Sequence, residues 1–384
     1  MNGTKPPKPS SVAYTLVKAW VGLGLRIFFR NIEVRGKENI PPRGPLIFAV
    51  NHPNTVLDAL LVTCTNKRNS WFLARGDVFN RPFLAALFRR LRMFPVFRQR
   101  DGNAKIKNNT EVFSQLAQWV QRGEALIIFP EGSHNRNWNI RPFGKGMARI
   151  AADAATTQQP VMIVPVGLTY FDPESSFSDV LVQYGTPIAA KHTLQGDPKA
   201  QNELTANVQQ AMMELSLHIS GDYDAVFERV KRLIALESDK DTLWEDFIAI
   251  KNAIARCEAD LELGSTDTEE TTERLSRGGW SILSLLVTSP LWLYGKLFTL
   301  FPQLLIWIIN RRVSDRHFHA TVRFGVGLGI YTLLVPGLFI YFSKVYITLF
   351  WWLASWMFTI GSMFYVMLWE EHFEQITGRR FMRY

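Results

Sequence analysis

Cysteine is scarce in this chain of 384 residues, and its scarcity excludes several kinds of protein. Cys64 and Cys257, the two cysteines, are too few for the framework of a disulfide-stabilised secreted domain, and their spacing matches no structural zinc site. Cys64 follows an apolar stretch and is interpreted as a core residue. The seven histidines form no HExxH pattern or comparable cluster. We therefore expect neither a metal nor a bound cofactor.

Acidic residues are scarce between residues 26 and 150, where 8 Asp and Glu stand against 21 Lys and Arg. The net charge of this region is +13, whereas the whole chain carries +9, so the rest of the chain is acidic. A positive field of this kind favours anionic partners. Because the same chain contains long apolar runs, we predict phosphorylated metabolites or acidic lipid head groups, and no nucleic acid.

Long uncharged runs are missing from most of the chain and are concentrated after Gly279. Phe324–Phe342 has 19 residues without a charge, and Val345–Trp369 has 25. Each is long enough to cross a hydrocarbon core of about 30 Å. Because only Ser343 and Lys344 separate them, we predict a transmembrane hairpin. Arginines before and after the hairpin indicate that both of its ends are cytoplasmic.

The preceding apolar stretch, Trp280–Ile309, is interrupted by Pro290, Lys296 and Pro302. These interruptions favour a re-entrant or shallow hairpin over a clean span. With that topology the protein is an integral membrane protein, and the part before residue 280 is cytoplasmic. An odd number of spans is the alternative, and it would put that part outside.

Residues 1–30 are interpreted as an N-terminal membrane-interface unit. Residues 12–29 are mainly apolar, and they predict a helix lying in the interface with Trp20 and Phe28 towards lipid. A signal peptide is the alternative, but Lys18 interrupts the apolar run and no small-residue cleavage site is clear.

Residues 31–190 alternate short β-rich runs with helical patterns, which predicts an α/β domain with a mixed sheet flanked by helices. Residues 191–279 are interpreted as a helical extension with an acidic linker from residue 258, and residues 280–384 as an α-helical membrane region. The predicted strands are Leu46–Val50, Trp71–Ala74, Ala125–Phe129, Met162–Val166 and Val180–Tyr184. The predicted helices are Leu57–Thr65, Pro82–Arg92, Asn109–Gln121 and Lys145–Ala155.

The stretch NHPNTVLD, residues 51–58, combines a histidine at the end of a predicted strand with an aspartate near the start of the next helix. Strand ends are the usual location of α/β active sites. With Asn54 or Thr55 capping the helix, Asp58 can accept a hydrogen bond from one imidazole nitrogen of His52 and leave the other as a base. A helix-capping aspartate and a core histidine are the structural alternative.

A second group of polar residues follows the predicted strand that ends at Phe129. Glu131 can bind hydroxyls or hold an arginine, and Gly132 allows close approach of the backbone to a ligand. Cations that could clamp a phosphate follow within fifteen residues; they are Arg136, Arg141 and Lys145. Arg98 and Arg100, after another short apolar run, are further candidates.

In this order, NH…D, the arginine-bearing block, FPEGS and VMIVPVGL resemble the four motifs of the glycerolipid acyltransferases, the family of lysophosphatidate and glycerol-3-phosphate acyltransferases. The resemblance implies that His52 and Asp58 activate an acceptor hydroxyl against an acyl thioester, from acyl-CoA or acyl carrier protein, without an acyl-enzyme. It implies that Arg100 binds phosphate and that the block around Pro165 shapes the acyl pocket. The predicted substrate-binding residues are Asn51, Arg98, Arg100, Glu131, Gly132, Ser133, Arg136 and Lys145.

The sequence departs from the family pattern at two positions. Five residues separate His52 from Asp58, where four are common, and this spacing resembles the branch that acylates glycerol-3-phosphate or dihydroxyacetone phosphate. His134 stands where an arginine often follows the third motif, so Arg136 or Lys145 would make that phosphate contact. A second catalytic histidine at His134 is the alternative.

Three functions remain open at this point. The first is a membrane-bound acyltransferase of phospholipid biosynthesis acting on glycerol-3-phosphate or dihydroxyacetone phosphate. The second keeps the fold and acts on lysophosphatidate or another lysophospholipid. The third is a lipid-binding scaffold without catalysis, which the presence of the whole His52, Asp58, Glu131 and Gly132 set disfavours.

Overall fold

The computed structural model describes residues 11–79, 82–96, 103–237, 242–262, 303–313 and 318–343. The described residues fall into two compact units. The first contains those up to residue 171 and from 179 to 262. The second contains residues 172–178 and those from 303 onwards.

The first unit contains eight strands and eight α-helices within its described residues. The strands are β1 Asn31–Arg35, β2 Leu46–Val50, β3 Ser70–Arg75, β4 Met93–Val96, β5 Ala125–Ile128, β6 Val161–Tyr170, β7 Asp179–Tyr184 and β8 Ile188–Ala190. The helices are α1 Ser11–Phe28, α2 Thr55–Thr65, α3 Pro82–Arg90, α4 Asn103–Gln121, α5 Gly146–Ala154, α6 Pro198–Leu215, α7 Tyr223–Glu237 and α8 Leu243–Glu262.

The strands form one mixed sheet in the order β1-β7-β6-β2-β5-β3-β4, and β8 pairs with the first half of β6. Strands β6, β2, β5, β3 and β4 are parallel, whereas β7 and β8 run antiparallel to β6. The predicted α/β class with a mixed sheet is therefore confirmed. One consequence matters for function: the carboxyl ends of five parallel strands share one edge of the sheet.

The strands at the centre of the sheet are continuous apolar runs and are buried, as expected for parallel strands covered on both faces. LIFAV in β2 and ALII in β5 are completely buried. Alternate residues of these strands, such as Ile47 and Leu126, join a core cluster with α4, α5 and α6. On the opposite face the hydroxyl of Tyr184 hydrogen-bonds α2 at Thr65 and Val62. Helices therefore cover both faces.

The second unit contains α9, residues 303–312, and α10, His319–Ser343. Within it, Arg323 donates a hydrogen bond to the carbonyl oxygen of Glu174 at 2.5 Å. Among the helices of the described ranges, none meets the length and apolarity needed to span a bilayer. The predicted crossing over Phe324–Phe342 lies in α10 and stays a prediction. Val345–Trp369 lies outside the described residues, and so does most of Trp280–Ile309.

Candidate active site

His52 and Asp58 meet at the carboxyl end of β2. The imidazole Nδ1 lies 2.8 Å from Oδ2 of Asp58. The imidazole also stacks on Phe129, which follows β5, the neighbouring strand; the ring centroids are 3.9 Å apart and the planes differ by 16°. Since Nδ1 donates to the carboxylate, Nε2 is the nitrogen that carries the lone pair of the neutral ring. The side chain of His52 keeps 14% of its surface exposed, whereas that of Asp58 keeps 0%.

The turn between His52 and α2 contains an unusual backbone conformation. Thr55, the first residue of α2, has φ of 47°. A β-branched residue in the left-handed region is strained, and such strain gathers at functional sites. Asn54 is the residue before the helix, but its side chain makes no cap. Instead the backbone N–H of Asn54 donates to Oδ2 of Asp58 at 2.8 Å.

The carboxylate of Asp58 accepts hydrogen bonds on both oxygens. Oδ2 receives the His52 and Asn54 donors, and Oδ1 receives the hydroxyl of Tyr170 at 2.6 Å. Burial raises the pKa of Asp58 above the usual carboxyl range, and the hydrogen bonds from His52, Tyr170 and Asn54 oppose that rise. Three hydrogen-bond donors of the chain thus stabilise the charged form of the buried Asp58 side chain.

Tyr170 is a site residue that sequence reasoning missed. It is the last residue of β6, and its contact with Asp58 depends on β6 being the neighbour of β2. The only sequence signal was an aromatic hydroxyl at the end of VMIVPVGLTY, two residues beyond the fourth motif.

Asn51 uses its side chain to join β2 to β6. Its Oδ1 accepts from the N–H of Leu168 at 2.7 Å, and its Nδ2 donates to the carbonyl oxygen of Leu168 at 2.9 Å. The amide imitates a strand partner and is buried. This geometry favours a positioning role for Asn51 over the predicted contact with substrate.

Glu131 links the turn at His52 to the loop after β5. Its Oε1 accepts from the backbone N–H of His52 at 3.3 Å, and its Oε2 accepts from Nε of Arg141 at 3.2 Å. Arg141 in turn donates to Oγ of Ser133 at 2.9 Å and to the Ser133 carbonyl oxygen. The loop after β5 is therefore fastened internally, and the interpretation of Glu131 as a residue that holds an arginine fits this geometry.

The remaining predicted residues after β5 differ in their exposure, and the ring of His134 lies beside that of His52. Gly132 has φ of 74° and is exposed, and a Cβ built on it would meet no atom within 4 Å. Its backbone thus faces open space, as close approach of a ligand requires. The ring of His134 is edge-on to that of His52, with centroids 5.9 Å apart. Arg136 is half-buried, and Lys145 is exposed just before α5.

Arg98 and Arg100 lie outside the described residues. The strand that precedes them, β4, ends at Val96 on the same edge of the sheet as β2. Three strand spacings separate β4 from β2, which is about 14 Å.

Chemically, the arrangement provides a base whose orientation is fixed. The carboxylate of Asp58 fixes the tautomer of His52 and can stabilise the imidazolium after the ring has taken a proton. None of the contacts described here brings a hydroxyl or thiol nucleophile of the chain to Nε2. The geometry therefore suits a reaction in which the substrate supplies the hydroxyl that loses the proton.

Part of the chain is similar to known proteins. Residues 31–169 match the family model described as Acyltransferase. A chloroplastic 1-acyl-sn-glycerol-3-phosphate acyltransferase of Brassica napus is 23% identical over 154 residues, 40% of this chain and 42% of that protein. The 1-acyl-sn-glycerol-3-phosphate acyltransferase of Borreliella burgdorferi is 26% identical over 152 residues, 40% of this chain and 58% of that protein.

Two further proteins resemble parts of the chain. Glycerol-3-phosphate O-acyltransferase 1 of Saccharomyces cerevisiae is 28% identical over 134 residues, 32% of this chain and 17% of that protein. The crystal structure of the 1-acyl-sn-glycerophosphate acyltransferase of Thermotoga maritima has a TM-score of 0.40 and 18% identity, covering 54% of this chain and 82% of the other. The chain thus spans about half, or less, of the length of the curated relatives it matches. The predicted resemblance to the glycerolipid acyltransferases is confirmed for the region that carries the four motifs.

Proposed function

We propose that this chain, whose residues 31–169 match the family model described as Acyltransferase, is a membrane-bound O-acyltransferase of the glycerolipid type. It transfers a fatty acyl group from a thioester, acyl-CoA or acyl carrier protein, to a hydroxyl of a phosphorylated glycerol. The contact of 2.8 Å between His52 Nδ1 and the fully buried Asp58 carboxylate carries the proposal.

In the proposed reaction, Nε2 of His52 takes the proton of the acceptor hydroxyl while its oxygen attacks the thioester carbonyl carbon. The buried carboxylate of Asp58 stabilises the imidazolium that forms. The carbon–sulfur bond then breaks, and the leaving thiolate recovers the proton from the imidazolium. No group of the chain becomes acylated, so the two substrates bind together.

The phosphate of the acceptor would bind to the basic groups at the same edge of the sheet. We assign this role to Arg98, Arg100, Arg136 and Lys145; Arg141 donates to Glu131 and Ser133. Gly132 and Ser133 would offer their backbone to the same substrate.

Two acceptors are candidates, and the choice rests on different observations. The five-residue spacing between His52 and Asp58 resembles the glycerol-3-phosphate or dihydroxyacetone phosphate branch. Against it, the plant and bacterial relatives that act on 1-acylglycerol-3-phosphate match 40% of this chain, and the yeast glycerol-3-phosphate enzyme matches 32%. We therefore propose 1-acylglycerol-3-phosphate as the acceptor to test beside glycerol-3-phosphate.

Helix α1 supports the membrane part of the proposal. Five apolar side chains are 40–69% exposed along it: Val12, Leu16, Trp20, Leu23 and Ile27. At 100° per residue they fall within about 80° of one another. The opposite face, with Leu25, packs inside the unit. A helix with one exposed apolar stripe is suited to lie in a membrane interface.

The deciding experiment measures acyl transfer by the full chain in membranes, with labelled acyl-CoA and acyl carrier protein and with each acceptor in turn. The wild type should label one of the two acceptors, and His52→Ala should abolish labelling. His192→Ala is the matched control, because His192 bonds the carbonyl oxygen of Ala155 at the far edge of the sheet. An active His52→Ala variant would remove the assigned base.

A second experiment tests the phosphate site. Arg100→Ala should raise the acceptor KM about tenfold or more, since a hydrogen bond to a charged group contributes about 1.5–3 kcal/mol. Arg122→Ala is the control, because this exposed arginine precedes the amino end of β5. An unchanged acceptor KM in Arg100→Ala would exclude Arg100 from the site.

A third experiment tests the membrane surface. Liposome flotation of a chain carrying Leu16→Glu and Leu23→Glu should show weaker binding than the chain with Ile248→Glu, an exposed apolar position on α8. Binding through residues after 280 is common to both chains, so the α1 stripe is judged from the difference between them at limiting lipid; no difference would exclude it as a membrane contact.

A further inference from the structure

We propose that Tyr170 is a positioning residue of the His52–Asp58 pair. Its hydroxyl holds the Asp58 carboxylate in the orientation in which it accepts a hydrogen bond from His52 Nδ1. The kinetic part of this inference rests on the proposed function, whereas the geometric part does not.

The contact is short, buried and supported from behind. The Tyr170 hydroxyl lies 2.6 Å from Oδ1 of Asp58, and both residues are buried. Tyr170 is paired in register with Val180 of β7, and its ring contacts that of Phe29 with centroids 6.0 Å apart. Two residues earlier, Leu168 is bound through both its N–H and its carbonyl by the side chain of Asn51. The end of β6 is thus attached to the catalytic turn at two points.

The direction of the hydrogen bond follows from the environment of the phenol. Burial, and then the adjacent charge of Asp58, raise the pKa of Tyr170 well above its ordinary value. The hydroxyl therefore stays protonated and is the donor. Its bond works against the burial that raises the pKa of Asp58. Without the hydroxyl, the carboxylate would hold a proton more strongly.

The hydroxyl also helps to fix the plane of the Asp58 carboxylate. Oδ2 already accepts from His52 and from the N–H of Asn54, and Oδ1 accepts from Tyr170. With both oxygens occupied, the carboxylate cannot rotate away from Nδ1. A packing role would reside in the ring of Tyr170 and a positioning role in its hydroxyl, so that Tyr170→Phe separates the two.

Other charged groups near the pair remain the same in that variant. Glu131 reaches the backbone of His52 and is paired with Arg141. His134 faces the imidazole from the loop after β5. At the end of β6, the carbonyl of Asp179 accepts from the N–H of Phe171, and the Asp179 carboxylate is paired with Arg30. Within the described residues, none of these contacts involves the Tyr170 hydroxyl. A change in the pH dependence of the rate in Tyr170→Phe therefore reports on Asp58.

The experiment compares Tyr170→Phe with the wild type in two ways. In the acyl-transfer assay, kcat should fall about tenfold with the acceptor KM unchanged, as expected for loss of a hydrogen bond to a charged group. The acid limb of the pH–rate profile should move to higher pH. Without the Tyr170 donor the Asp58 carboxylate is less stabilised, so the His52–Asp58 pair holds its proton more strongly. Independently of activity, the pH dependence of diethylpyrocarbonate modification of His52, followed by mass spectrometry, should shift in the same direction.

Tyr184→Phe is the matched control. Tyr184 is also a buried tyrosine of the sheet, and its hydroxyl bonds Thr65 and Val62 of α2 and not Asp58. It should leave the pH dependence of His52 modification as in the wild type. An equal profile in folded Tyr170→Phe and wild type would overturn the proposal, and so would an equal shift in both variants.

A second substitution covers a failure of Tyr170→Phe to fold. Incorporation of 3-fluorotyrosine at position 170 keeps the ring and makes the hydroxyl a stronger donor. The modification profile of His52 should then move to lower pH, and an unmoved profile would contradict the inference. If the wild type transfers no acyl group, the modification profiles still test Tyr170, while the proposed function alone fails.

Discussion

Asp58→Asn is the substitution for which the structure makes the sharpest prediction. An asparagine fits the site in one orientation. Its oxygen would take the place of Oδ2 and accept from His52 Nδ1 and from the N–H of Asn54, and its NH2 would donate to the oxygen of Tyr170. The opposite orientation would point NH2 at the N–H of Asn54. The tautomer of His52 is therefore retained, while the negative charge is lost and the Tyr170 hydroxyl gives up its acceptor.

The expected loss of activity can be bounded from hydrogen-bond energies. Replacing a charged acceptor by a neutral one loses the difference between a charge-assisted and an ordinary hydrogen bond. That difference is no larger than the charged bond itself, which contributes about 1.5–3 kcal/mol. In the transition state this corresponds to about 10- to 150-fold in kcat. Asp58→Ala should be worse, because it removes the acceptor of His52 Nδ1 altogether and frees the ring to rotate.

Stability should change in the opposite direction. The pKa of Asp58 is raised by burial in the folded state, so the folded protein binds this proton more tightly than the unfolded chain does. The stability linked to this group is present below the unfolded pKa and is lost as pH rises through the folded pKa. Asparagine has no such loss, so the melting temperature of Asp58→Asn relative to wild type should be higher at pH 8 than at pH 5.

The assay is steady-state acyl transfer at saturating donor, with Asp58→Asn, Asp58→Ala and His52→Ala measured in parallel. The expected order of kcat is wild type, then Asp58→Asn, then the two alanine variants. If Asp58→Asn is as inactive as Asp58→Ala although both are folded, the orientation derived from Asn54 and Tyr170 is wrong. If it matches wild type, the charge of Asp58 has no role in the reaction.

Three further predictions concern the backbone and one thiol. Thr55→Gly should keep activity because glycine adopts positive φ freely, whereas Thr55→Pro, with φ fixed near about −65°, should abolish it. Gly167→Ala should destabilise the fold by about 3 kcal/mol or more in denaturant titration, because its Cβ would lie 2.0 Å from the carbonyl oxygen of Leu215; Gly221→Ala, with open space around it, is the control. Burial raises the pKa of the Cys64 thiol to about 11, so its alkylation should be slow at pH 7.5 and accelerate with each pH unit up to that value.

The centre of the fold was predictable because its strands are continuous apolar runs. Leu46–Val50 was predicted with the bounds it has, and the strand after residue 160 was found but is longer, extending to Tyr170. The strands that sequence missed, β1, β4 and β8, have three to five residues and lie at the edge or pair with half a neighbour. Their residues are only partly buried, so their polarity does not separate them from loops. The linker predicted from residue 258 is wrong for its first residues, since α8 continues to Glu262.

The site was predictable to the extent that it is local in sequence. His52 and Asp58 lie six positions apart, and one turn joins them. The partners Tyr170 and Leu168 are more than a hundred residues away, and their contacts arise from the adjacency of β2 and β6, which no local pattern encodes. Arg141 was predicted as a phosphate clamp, but the sequence did not reveal that Glu131, ten residues earlier, would bind it.

The five-residue spacing between His52 and Asp58 has a structural explanation that bears on the choice of acceptor. Each residue added inside a helix turns the following side chains by 100° and advances them by about 1.5 Å, which would carry the carboxylate away from the imidazole. Here the start of α2 absorbs the extra residue, because Thr55 takes a left-handed conformation and Asp58 still reaches Nδ1 at 2.8 Å. The turn thus accommodates the spacing while His52 keeps its partner. We therefore expect selection between glycerol-3-phosphate and its 1-acyl derivative to lie in the groups that contact the phosphate and the glycerol. Thr55→Gly should then leave the ratio of the rates with the two acceptors unchanged, and a change in that ratio would contradict this view.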